Sequence, residues 1–139
     1  MKRIFYVLAF VLLCSPLVSC SLDDNGSNFE YVALKVVSAE VPDSFELGQT
    51  YEIMVKYLKP NSCTFFEGFD IHKHELTTRE VYPIGTEITD LDDCQELVEE
   101  VEESFDFIVL YEDDYTFQFW TGKDADGVDQ YIEIDVPVN

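Results

Sequence analysis

His72 and His74 stand one residue apart, on either side of Lys73. In an extended chain such a pair projects to one side, roughly 6–7 Å apart along the strand. Imidazole is a common ligand for zinc and iron, so the spacing could begin a metal site. The chain holds only 2 His, so Glu75, Glu80 or other carboxylates would have to complete it. The alternative is two solvent-facing histidines near a sheet edge. A metalloenzyme built on His72 and His74 is therefore the weakest of three functional readings.

Asp124-Ala125-Asp126-Gly127-Val128-Asp129 alternates carboxylates around a glycine. Calcium takes six to eight oxygen ligands in a flexible shell, and its loops use this composition. The third acid is displaced from the EF-hand spacing, and no Glu closes a twelve-residue loop. Asp and Gly also suit a hairpin on conformational grounds alone. Calcium held by Asp124, Asp126 and Asp129 is the second functional reading; otherwise no cofactor is expected. Asp90, Asp92 and Asp93 read as a solvated turn or a helix cap.

Trp120 and Tyr131 offer a different chemistry. If Phe117 and Phe119 face a core, Trp120 faces out; if Ile132 and Ile134 face in, Tyr131 faces out. The two strands flank the Asp124 loop, which makes the rings near cross-strand neighbours. An outward Trp–Tyr pair is either a platform for a sugar ring or a partner's side chain, or a stabilising pair. Phe66 would extend the patch if a bulge turned it outward.

The chain carries 8 Lys+Arg against 29 Asp+Glu, a net charge of -21. Neutralising phosphates requires bases, so nucleic acid is not an expected partner. Aromatics at 14% exclude a disordered acidic tail. No Gly-rich phosphate loop, nucleophile elbow, zincin helix or Cys-x-x-Cys is present. With 29 acids, no chosen carboxylate pair identifies a glycosidase. A non-catalytic binding or interaction module, monomeric and with a protein or glycan partner, is the leading reading.

Period-two alternation supplies the scaffold. Phe29 to Val41 reads as a first strand ending at Pro42. Tyr51, Ile53, Val55 and Tyr57 share one face of the next. Cys63 to His74 is strand-like, with a parity conflict that a bulge near Glu67-Gly68 would resolve. Val81 to Ile88 is broken by Pro83 and Gly85 and reads as an edge. Strands at Phe105 to Tyr111, Tyr115 to Trp120 and Tyr131 to Val138 follow. Asp93 and Glu96 have capping-box spacing, so a short helix is expected near 93–101.

The first residues look like an address. Lys2 and Arg3 precede an apolar run from Ile4 to Leu13, too short to span a membrane. Leu17-Val18-Ser19-Cys20 resembles the bacterial lipobox, which implies a signal peptide at 1–19 and a lipidated Cys20. Two acyl chains hold a protein stably on a membrane. Ser21-Leu22-Asp23-Asp24-Asn25 resembles the export signal of Bacteroidota surface lipoproteins, though Leu22 departs from its all-acidic form. The resemblance implies a lipid anchor in the bacterial outer membrane with the domain exposed at the surface. Cleavage would remove two bases and no acid, leaving 6 bases against 29 acids and a net charge of −23.

Within that context Cys63 and Cys94 remain as an even pair, and one disulfide is expected. A tether spans 20–28 and one folded domain spans 29–139. Asp113-Asp114-Tyr115-Thr116-Phe117 resembles the turn and early Tyr of immunoglobulin-like domains. There the phenol bonds back across a corner. The resemblance implies an all-β, antiparallel immunoglobulin-like sandwich of about seven strands, with Tyr115 in that role. Under this fold Cys63–Cys94 would tether a loop, not cross the core.

Overall fold

Tyr51, Ile53, Val55 and Tyr57 turn one face inward in the computed structural model, the last three fully buried. The structure describes residues 28–139. The signal peptide at 1–19, the lipidation at Cys20 and the tether up to residue 27 lie outside the described residues.

Eight strands form: β1 Phe29–Ala33, β2 Lys35–Glu40, β3 Thr50–Lys59, β4 Thr64–Lys73, β5 Thr78–Ile88, β6 Glu99–Ile108, β7 Tyr115–Lys123 and β8 Asp129–Val136. They make two packed sheets, an all-β sandwich consistent with the immunoglobulin-like expectation. The second sheet has the order β2-β3-β6. In the first, β4 pairs one side of β5 while β1 and β7 share the other side, end to end, and β8 closes the far edge. All pairings of these strands are antiparallel except β5–β7.

Three expectations are corrected. The single strand read at Phe29 to Val41 is two strands, because Leu34 is buried and its N–H bonds Pro83 O at 2.8 Å. β1 pairs β5 and β2 pairs β3, so the chain changes sheets at that residue. That division accounts for eight strands where about seven were expected.

β5 is a central strand, not an edge. Its pairing with β7 ends at Val81 and its pairing with β1 begins at Ile84. Pro83 lies in that gap, so its missing N–H interrupts neither ladder. Gly85 serves close approach: a Cβ there would meet Phe65 O at 3.0 Å and Leu34 Cδ1 at 3.2 Å.

No helix forms near 93–101. Glu99 onward is β6, paired with β3 along its whole length. That register puts Phe105 and Phe107 against the core and sets Lys59 and Lys56 near Glu99 and Glu102. Upstream, Gln95 N–H bonds Ser62 Oγ and Gln95 O accepts from Ser62 N–H, which holds the segment extended. Tertiary pairing overrides a marginal helical pattern. The Glu-rich β6 also lies at a sheet edge, where charge discourages edge-to-edge association.

The Cys63–Cys94 disulfide is present, with Cα atoms 5.4 Å apart. It ties the segment before β6 to the start of β4 and does not cross the core. The bulge is also present, between Phe66 and Gly68. Tyr115 is fully buried, and its hydroxyl accepts from the N–H groups of Leu110 and Tyr111, both at 3.1 Å. The core beneath is aromatic, with Phe45, Phe107, Tyr115 and Phe117 in edge-to-face contact.

Candidate binding face

Alternation along β5, β7 and β8 leaves one set of side chains on the outer face of the first sheet. On β7, Tyr115, Phe117 and Phe119 are buried, so Thr116, Gln118 and Trp120 point away from the core. Trp120 is the registered partner of Tyr131 on β8, as the alternation required. On β5, Val81 is buried, so Glu80 and Tyr82 point outward.

The result is a row of three partly exposed rings. Tyr82 lies 6.0 Å from Trp120 and 6.2 Å from Tyr131, ring centre to ring centre. The Tyr82 and Tyr131 hydroxyls are 2.6 Å apart. The indole N–H of Trp120 donates to Asp129 Oδ1 at 2.8 Å, which fixes the ring's orientation. Two residues along each strand, on the same face, runs a polar row: Glu80 opposite Gln118, and Gln118 opposite Glu133.

Electrostatics follow the geometry. The Trp120 bond, aided by Lys123, holds the Asp129 carboxyl below its ordinary range. Burial, then the bond to Tyr131, raises the Tyr82 phenol well above its ordinary value, so it stays protonated across the neutral range.

Tyr82 was not among the residues singled out from the sequence. The signal existed, since Glu80, Tyr82 and Ile84 share a parity. Reading β5 as an edge hid it, because an edge strand implies no outer-face neighbours on both sides. Phe66 does not join the patch. It stacks on buried Tyr57 at 5.2 Å and meets Phe69 at 5.1 Å, so the bulge turns it inward.

Of the remaining candidates, all but the Asp126 carboxylate have local side-chain partners among the described residues, Asp126 contributing only its backbone N–H. Asp124 Oδ1 accepts from the N–H groups of Asp126 and Val128, and Oδ2 accepts from Gln130. That carboxylate organises the turn, with Gly127 at φ 80. Asp129 is turned to Trp120 and Lys123. His72 Nε2 pairs with Asp70 at 2.8 Å, while His74 Nδ1 lies 3.9 Å from Glu80, so the two imidazoles face different acids. Among the described residues, no group of three or more His, Cys, Asp or Glu has an arrangement able to hold a metal ion.

The outer face of the second sheet differs. Glu52, Lys56, Glu102 and Asp106 occupy its β3 and β6 positions. Aromatic rings in a row belong to the first sheet's face.

No family model, no curated protein and no solved structure matches the chain.

Proposed function

We propose that this chain is a lipid-anchored protein of the bacterial cell envelope whose domain is a non-catalytic binding module. Tyr82, Trp120 and Tyr131 form its contact surface. The leader and the lipobox-like Leu17-Val18-Ser19-Cys20 support the anchor, and the disulfide fits an oxidising compartment. The observation that carries the reading is the row of three rings on the outer face of β5, β7 and β8. These rings add little to the core, which Phe117, Phe119 and Val81 already fill from the same strands. Their orientation is nonetheless fixed by side-chain hydrogen bonds, and fixed rings cost less conformational entropy to engage.

Trp120 is the chain's 1 Trp, so its emission reads the site directly. The full chain in nonionic detergent is titrated with neutral oligosaccharides and with peptides. A saturable emission change, lost in a Tyr82→Ala/Tyr131→Ala variant that melts cooperatively, supports the contact surface. A panel that leaves Trp120 emission unchanged, or a change that persists in the double variant, overturns it. A Cys20→Ala variant still fractionating with membranes would overturn the anchor.

A further inference from the structure

The outer face of the first sheet is aromatic, but it is also charged in one sense. Beside the ring row, Glu133 Oε1 accepts from Gln118 Nε2 at 2.7 Å. Asp135 Oδ1 accepts from Thr116 Oγ1 at 2.6 Å. Asp129 accepts from the Trp120 indole. At Glu133 and Asp135 a neutral donor orients the carboxylate without cancelling its charge, whereas Asp129 is also paired with Lys123. The only Lys or Arg at an outward position of β5, β7 or β8 is Lys123, at the end of β7 and held by Asp129. On β4, His72 flanks the Tyr82 ring at 5.4 Å and faces Asp70, and His74 just past the strand faces Glu80.

Resting on the binding-module reading above, we propose that this sheet face docks an arginine-bearing segment of a basic protein partner. Charge complementarity selects the occupant. A planar guanidinium stacks on an aromatic face while its fork of N–H donors reaches carboxylates at the ring edge. Tyr82, Trp120 and Tyr131 provide the faces, and Glu80 and Glu133 provide acceptors in the adjoining row. A chain with a net charge of -21 attracts such a partner over distance. Acidity alone attracts any polycation; the paired rows confine the contact to one face and favour Arg over Lys.

The test uses the full chain in nonionic detergent at about 0.15 M salt, where screening acts over about 8 Å. The probe is the blocked peptide Gly-Arg-Gly-Arg-Gly, with lysine and citrulline versions as controls. Trp120 emission is the readout. The arginine peptide should shift it saturably, the lysine peptide should bind several-fold more weakly, and the neutral citrulline peptide should not bind. Glu80→Gln with Glu133→Gln should weaken arginine-peptide binding about tenfold, the scale of one lost charged hydrogen bond. Glu100→Gln with Glu102→Gln, on the second sheet, makes the same change in net charge and should alter it less than about twofold at that ionic strength.

Equal losses in the two variants would mean diffuse attraction and overturn the proposal. So would citrulline binding as well as arginine, or no response to the arginine peptide. An emission change with a neutral oligosaccharide but not the arginine peptide would overturn this inference and leave the contact surface standing. A concentration-dependent mass in sedimentation, with the emission shift appearing only on dimerisation, would make a second copy the occupant and overturn it too.

Discussion

The hydroxyls of Tyr82 and Tyr131 meet at 2.6 Å although their strands, β5 and β8, are not neighbours. β7 lies between them and contributes Trp120. The two phenols therefore join over the middle strand, and the indole is framed on both sides. Three strands distant in sequence hold one aromatic unit, so its shape depends on the sheet, not on any loop.

Tyr82→Phe tests that unit while keeping the ring. The bond between the hydroxyls is lost, and a net contribution of about 1 kcal/mol goes with it. The melt should fall by only a few degrees. Trp120 emission should change more clearly, because the Tyr131 ring is freed from its partner. An unchanged emission spectrum would show that the hydroxyl pair does not set the geometry of the row.

Tyr115→Phe should cost more. The phenol is fully buried and is the acceptor for two backbone N–H groups, those of Leu110 and Tyr111. Removing the oxygen strands both donors, at a cost of about 1–3 kcal/mol. For a domain of this size the melting temperature should drop by roughly 4–15 °C. A drop of under about 2 °C would mean water replaces the phenol and the corner carries no stability.

Which parts of this architecture were legible in the sequence follows from where the information is local. Alternation in Tyr51 to Leu58 and Tyr115 to Trp120 reports burial directly, so those strands and the outward Trp120 were readable. The turn before Tyr115 has a local signature, and the buried hydroxyl follows it. The Cys63–Cys94 pair needed only an even count and the expectation of export. Non-local pairing was not readable. Pro83 disqualifies a central strand unless the gap between β7 and β1 is known, and that gap exists only in the assembled sheet. Tyr82 was missed for the same reason. Asp93 to Val101 carries a real helical pattern, and only the partner strand β3 and the disulfide select extension. The inward turn of Phe66 depends on the side of the bulge facing Tyr57, which residue types alone do not determine.

The disulfide should matter chiefly through the unfolded chain. Cys63 and Cys94 are 31 residues apart in sequence. Closing such a loop contributes roughly 3–4 kcal/mol in the chain-entropy description. A Cys63→Ala/Cys94→Ala variant should melt well below the native chain while keeping Trp120 emission, since the bond lies outside the ring row. Intact mass before and after reduction should differ by two hydrogens. A variant whose melt equals the native one would show that Ser62–Gln95 hydrogen bonding alone holds the segment.

Acid offers a direct reading of the site through Asp129. Its folded-state pKa lies below the ordinary carboxylate value, first because of the Trp120 hydrogen bond and then because of Lys123. A depressed carboxylate favours the fold fully above its unfolded pKa and loses that contribution as pH falls through the folded value. Trp120 emission should therefore be flat through the neutral and mildly acidic range. It should change only below the usual aspartate range, when protonation weakens the acceptor of the indole N–H. Asp129→Asn keeps an oxygen acceptor but cannot titrate, so that acid step should vanish while the neutral-pH spectrum stays close to native. A step at the ordinary aspartate pKa, or one that survives Asp129→Asn, would assign the change to another acid and detach Asp129 from control of the ring.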